Sequence, residues 1–258
     1  MYVASAPPPN SLRASVRFGW RLLTRRPALA ALVIGGSVLM FAAALGSGET
    51  DLGPGDLAKL FSIPPMSIYA ALGLAQNLPM AIILVVANFA IFAGFVGLLT
   101  EARPRAAALL RGAGLHLAGT LTVAIFAALG YVYVASRSRA ALGEDVGVAP
   151  LFLLLIPLLI YPPLTTVLGT MSSRALAGQK ATPRLRDGSI WLLVILCVWM
   201  NLFLPGRLDA ISAEPGGQVI AYALAFGTLT IQMILTAAIV QRSVVSDDSQ
   251  LTLDAKSS

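Results

Sequence analysis

Long apolar runs alternate with short polar ones along the whole chain. Six runs stand out, at residues 28–46, 78–99, 115–135, 148–169, 189–204 and 218–240. Each is apolar on every face, and a helix needs about 20 such residues to cross a bilayer core. Strands of a membrane barrel would instead alternate polar and apolar over roughly ten residues. The expected fold is all-α: a polytopic transmembrane bundle of six helices. The leader 1–27 precedes it, the bundle occupies 28–240, and 241–258 reads as a flexible tail.

The leader carries its own helical period. Arg13, Arg17, Arg21 and Arg25 recur every four residues, with Leu12, Val16, Trp20 and Leu23 on a neighbouring face. Such a helix lies in the membrane interface with its arginines toward lipid phosphates. Arg13, Arg17, Trp20, Arg21 and Arg25 are therefore the candidate headgroup contacts. The three prolines within residues 1–10 predict no regular structure there. The first apolar run is longer than the 7–15 residues of a typical signal-peptide core, so it reads as an uncleaved span.

The connection 47–77 is the longest between runs. A helical turn is expected near Asp56, with the acid at the positive end. The apolar stretch 67–74 is too short to span, and reads as an interfacial helix or re-entrant cover, a lid resting on the bundle.

Composition narrows the class. Hydrophobic residues make up 57% and charged residues 12%, against about 45–50% and 25% in soluble domains. An ordinary soluble enzyme and a disordered chain are both excluded. The net charge of +6 is unevenly spread. Arg13, Arg17, Arg21, Arg25 and Arg26 precede the first run, and Arg103, Arg105 and Arg111 follow the second. Arg174, Lys180, Arg184 and Arg186 follow the fourth, and Arg242 and Lys256 the sixth. Those segments hold 14 of the 18 bases and only five acids, while the alternate loops hold four bases and seven acids. Basic loops stay cytoplasmic, so both termini are expected inside a bacterial inner membrane. The basic character is an orientation signal, with the lipid bilayer and other membrane proteins as partners and no nucleic acid.

Chemistry is sparse. Cys197 is the single cysteine and His116 the single histidine. This excludes an intramolecular disulfide, cysteine metal clusters and the two-histidine metalloprotease helix. His116 reads as an interface anchor. No phosphate-cradling glycine loop or Gly-x-Ser-x-Gly elbow is present. The central parts of the runs hold no Asp, Glu, Lys or Arg, where ion-coupled carriers usually place one. Their polar residues are the amides Asn88, Gln232 and, near the outer end of the fifth run, Asn201. Such amides commonly bond across helices. Pro157 and the pair Pro162-Pro163 after Tyr161 predict a kinked or opened helix. Asn88, Tyr161, Pro162, Pro163 and Gln232 are thus the candidate substrate or partner contacts. Trp191, Trp199, Tyr131 and Tyr133 read as interfacial anchors. No catalytic residue, cofactor or metal is expected.

Two stretches carry a resemblance. One is Phe18-Gly19-Trp20-Arg21-Leu22-Leu23-Thr24-Arg25-Arg26-Pro27. The other is Ile156-Pro157-Leu158-Leu159-Ile160-Tyr161, followed by a basic segment and Arg186-Asp187-Gly188-Ser189-Ile190-Trp191. In layout the chain resembles six-helix bacterial membrane proteins similar to the membrane domain of glycerophosphodiester phosphodiesterases. The resemblance implies a six-helix fold and transfers no catalytic residues. The functional expectation is a non-enzymatic accessory, scaffold or assembly component of the inner membrane. The alternative is a permease-type subunit or carrier for a neutral or lipidic solute.

Overall fold

A computed structural model describes residues 12–48, 51–75, 77–101, 105–140 and 149–254, without the side chains of 12, 15, 126–158 and 245–254. The described residues form helices and no strand: α1 (Leu12–Arg25), α2 (Pro27–Gly46), α3 (Pro54–Lys59), α4 (Met66–Gly73), α5 (Leu78–Thr100), α6 (Ala106–Ala140), α7 (Ala149–Leu176), α8 (Gly188–Ser212) and α9 (Gly217–Asp254). Five of them contain segments long and apolar enough to cross a membrane: Pro27–Gly46, Leu78–Thr100, Ala106–Ile125, Gly188–Ser212 and Gly217–Val244. This is a helical membrane protein by length and composition.

Helix starts follow local chemistry. Asn77 caps α5, its side chain accepting from the Met80 N–H at 2.9 Å. Asp187 caps α8, accepting from the Ser189 N–H at 2.9 Å. Pro27 and Pro54 open α2 and α3 at positions where a missing N–H costs nothing. Asp56 accepts from the Gly53 N–H at 3.1 Å and so closes the first turn of α3. The proline-only segment of the leader lies outside the described residues.

Several helices differ from what the apolar runs alone predict. The fifth run ends at 204, but α8 continues to Ser212 through Pro205, Arg207 and Asp209. α6 starts at Ala106, ahead of the third run, and continues to Ala140. The fourth run forms α7, which stays helical through Pro157, Pro162 and Pro163 instead of opening. The Thr166 hydroxyl donates to the Pro162 carbonyl at 2.8 Å, adding a local bond just below the proline pair. At the other end, α9 runs on past 240 to Asp254.

One end of the bundle is stitched by arginines. Arg174 donates to the carbonyls of Ser243 at 2.8 Å and Lys180 at 3.0 Å, joining α7 to α9 and to the following loop. Arg242 on α9 pairs with Asp187 at 3.2 Å. Arg26 bonds the Leu98 carbonyl at 2.7 Å and pairs with Glu101, tying α2 to the end of α5. The Arg26 hydrogen bond holds the Glu101 carboxyl below its ordinary value of 4.5. The opposite end carries Asp51, Asp56, Asp209 and Glu214.

The connection 47–77 is not a lid resting on that acidic end. It enters the bundle as a re-entrant hairpin. α3 docks on α8, the Gly55 N–H donating to Asp209 at 2.8 Å. Residues 60–65 turn inside the bundle, and α4 returns. Leu57, Leu60, Phe61, Ile63, Met66 and Ile68 are all buried. The Phe61 ring meets Phe95 edge-on at 5.1 Å. At the turn, Gly169 of α7 allows close approach: a Cβ there would lie 2.5 Å from the Ile63 side chain and 2.9 Å from the Pro64 carbonyl.

Candidate functional site at the re-entrant hairpin

Non-helical backbone at membrane depth survives only inside protein or along a water-lined cavity, because lipid offers its polar groups nothing. The hairpin solves this with side-chain amides. Gln232 donates to the Ala58 carbonyl at 3.2 Å, and Asn88 donates to the Leu60 carbonyl at 3.3 Å. Both carbonyls lie at the closing turn of α3, where a helix leaves acceptors unpaired. Asn201 supports Gln232, donating to its Oε1 at 3.3 Å and to the Cys197 carbonyl at 2.8 Å. Gln232 is ten residues from Arg242, roughly 15 Å along α9. The amide relay therefore sits deep within the bundle. Asn201 lies well inside α8 because that helix extends to Ser212.

Around the hairpin turn is a second group of polar atoms, and these have no hydrogen-bond partner among the described residues. They are the hydroxyls of Ser62, Ser67, Thr165 and Ser172 and the side-chain oxygens of Asn88 and Asn201. The four hydroxyl residues are each at most 1% exposed. Helical register explains their grouping. Tyr161, Thr165, Gly169 and Ser172 share one face of α7. Tyr161 meets Tyr69 of α4 at 5.7 Å, and Gly169 abuts Ile63 and Pro64. Thr165 lies between them, on the hairpin-facing stripe. Ser62 lies beside the Cys197 thiol.

His116 is not at the interface. It is 3% exposed on α6, its ring 5.3 Å from that of Phe89 and beside the Val85 backbone. Its ring nitrogens make no hydrogen bond of normal geometry. It shares a face with Gly112, which abuts Leu176 and Phe89, and Gly119, which abuts Ile68 and Pro65. The early start of α6 carries it into the packed interior.

The predicted residues thus fall into separate places. Asn88 and Gln232 hold the hairpin backbone. Tyr161 is buried against α4. Pro162 and Pro163 border a groove between α7 and α8, together with Trp191 and Trp199. Arg13, Arg17, Trp20, Arg21 and Arg25 are exposed along α1, while Gly19, Leu22 and Leu23 are buried. Trp20 therefore stands with the arginines and not with the packed face. The side chains of Pro157, Tyr131 and Tyr133 lie outside the described residues.

The hairpin layer is neutral and rich in hydroxyls and amides. It suits hydrogen bonding to water or to an uncharged polar solute. Among the described residues, no three His, Cys, Asp or Glu side chains group to hold a metal ion. Residues that the apolar pattern did not single out complete the picture: Ser62, Ser67, Thr165, Gly169 and Asp209. The hydroxyl-rich run 165–173 was a visible signal, whereas the carbonyls of Ala58 and Leu60 left none.

This is the architecture of a polytopic helical membrane protein with a re-entrant element. No family model matches the chain, and neither a curated protein nor a solved structure was found to resemble it.

Proposed function

We propose that the chain is a six-span protein of the bacterial inner membrane with both termini cytoplasmic, acting without catalysis as an accessory or assembly component. The arginine-rich end is then the cytoplasmic one, following the distribution of basic loops. α7 supplies the sixth span, in keeping with the six apolar runs of the sequence. The observation that carries the functional reading is the use made of the buried amides. Asn88, Asn201 and Gln232 spend their donors on the hairpin and on each other. They hold a fold together, which favours packing with partners or lipids over chemistry. α1 adds an anchor, its exposed arginines aligned for anionic headgroups. Purification in mild detergent tests this reading. A partner protein that copurifies reproducibly, and is lost when the hairpin is loosened by Gln232→Leu, is the expected result. A monodisperse protein without partner, together with solute flux in liposomes, would overturn it.

A second reading is a carrier for a neutral solute. It is favoured by the unpartnered hydroxyls around the hairpin turn, each of which costs about 1–3 kcal/mol if left dry. In liposomes, flux of an uncharged polar solute that falls in Thr165→Val and Ser67→Ala would support the carrier. Flux equal to that of empty vesicles excludes it.

A further inference from the structure

His116 is the buried polar side chain that neither reading above uses. It lies ten residues into α6, roughly 15 Å from the start of that helix. Helical register identifies what it faces. A Cβ at Gly112 would lie 2.6 Å from the Leu176 side chain, and one at Gly119 would lie 3.5 Å from that of Leu168. α6 and α7 are therefore antiparallel neighbours, with 112 level with 176 and 119 level with 168. His116 shares the face of the two glycines, and Ser172 lies midway between the two leucines. The imidazole and the Ser172 hydroxyl thus face one another at one level.

Both groups are buried, yet the hydroxyl and both ring nitrogens lack a hydrogen-bond partner among the described residues. Neither bonds the other, although each can donate and accept. Their level is closed on both sides. Toward the arginine-rich end, Gly112 meets Leu176 and Phe89, and the Phe89 ring lies 5.3 Å from the imidazole. On the other side the hairpin tip fills the interface, with Pro65 and Ile68 against Gly119 and with Ile63 and Pro64 against Gly169. The surrounding stretches 66–73, 78–100, 112–125 and 159–173 hold no Asp, Glu, Lys or Arg. An occupant of this level is therefore small, uncharged and able to donate and accept hydrogen bonds, because a buried charge without a partner is far costlier than a buried hydroxyl.

We propose that His116 and Ser172 form an enclosed binding site for a small uncharged hydroxyl compound, either water or a polyol of the size of glycerol, bridged between the ring and the hydroxyl. Buried water commonly meets polar groups that the protein itself leaves unpaired. The site rests on the reading of the chain as a helical membrane bundle and does not require transport. A fixed water suits the accessory component, whereas an exchanging polyol is the occupant that the carrier reading needs.

The chain has a single histidine, so isotope-labelled histidine places a reporter in this site alone. The full-length protein is reconstituted in lipid bilayers and studied by solid-state NMR. Magnetisation transfer from water protons to the ring nitrogens is measured first, and then transfer from isotope-labelled glycerol added to the same sample. The expected result is strong transfer from one of the two, with ring-nitrogen shifts of a hydrogen-bonded imidazole. That transfer falls several-fold in Ser172→Val, where methyl groups replace the second anchor, while an unchanged backbone spectrum shows that the bundle is intact. Transfer from water that glycerol leaves unaltered assigns the site to water. Transfer from glycerol that displaces water assigns it to a polyol. Transfer from neither, with the shifts of an imidazole free of hydrogen bonds, overturns the site. So does transfer that Ser172→Val leaves unchanged. Both of those results leave the membrane reading standing, and the carrier reading is decided separately by flux.

Discussion

Gln232→Leu is the perturbation that bears most directly on how the hairpin is held. Leucine keeps much of the volume and removes both hydrogen bonds. The Ala58 carbonyl, which accepts from Gln232 at 3.2 Å, is left bare inside the bundle. Asn201 loses an acceptor at 3.3 Å but keeps the Cys197 carbonyl at 2.8 Å, so its share of the loss is small. An unsatisfied buried carbonyl costs about 1–3 kcal/mol, while polar pairs measured within membranes average about 0.6 kcal/mol with a maximum near 1.7. Gln232 is fully buried, so the effect belongs toward the upper part of the membrane range, about 1–2 kcal/mol. For a domain of this size, 1 kcal/mol moves Tm by about 2–4 °C. Thermal unfolding in a mild detergent should therefore show a fall of a few degrees. Asn88→Leu should do the same, because it bares the Leu60 carbonyl. The double variant should lose less than the sum, since both amides hold the same turn and releasing it once removes most of the constraint. Thr230→Val is the control, because that hydroxyl only bonds back to Phe226 within its own exposed turn. An unchanged Tm in Gln232→Leu, or losses strictly additive with Asn88→Leu, would refute the relay.

Further outcomes follow from single contacts. Gly19→Val should detach α1 from α9, because a Cβ at this position would lie 2.6 Å from the Ile234 carbonyl; faster proteolysis within 12–25, with the bundle intact, is the readout. Asp187→Ala should cost about 1 kcal/mol through the lost cap of α8, whereas Asp187→Asn should keep the cap and lose only the pair with Arg242; comparing their Tm values separates the two roles. Because Arg26 depresses the Glu101 carboxyl below 4.5, the stabilisation from that pair is present above this value and is lost as pH falls through the lower folded value. Wild type and Glu101→Gln should then converge in Tm on acidification and differ at neutral pH.

Much of the helical framework was legible because lipid demands uninterrupted apolar length, and that demand is local in sequence. Run 78–99 and helix Leu78–Thr100 nearly coincide for this reason. Asp56 at the first turn of α3 was legible through capping chemistry alone. The departures arise where tertiary contacts override local composition. The polar residues after Leu204 stay helical in α8, where Asp209 receives the hairpin. His116 was assigned to an interface because the most apolar stretch begins beside it, yet α6 starts at Ala106 and carries it into the interior. The depth of the hairpin was illegible. Its Gly53-Pro54-Gly55 and Pro64-Pro65 segments signal turns, but the amides that satisfy its backbone lie 28 and 174 residues away. Asn88 and Gln232 were visible as bundle-stabilising amides, while their partner, a turn and not a neighbouring helix, was not.

The central claim is that residues 51–77 enter and leave the bundle at one face. Single-cysteine labelling with a membrane-impermeant maleimide, in a Cys197→Ala background, tests it directly. Cysteines at Asp51 and Asn77 should label from the same side of sealed vesicles, one at Lys180 from the opposite side, and those at Ser62 and Ser67 from neither. Labelling of positions 51 and 77 from opposite sides would contradict the hairpin and make the segment a span.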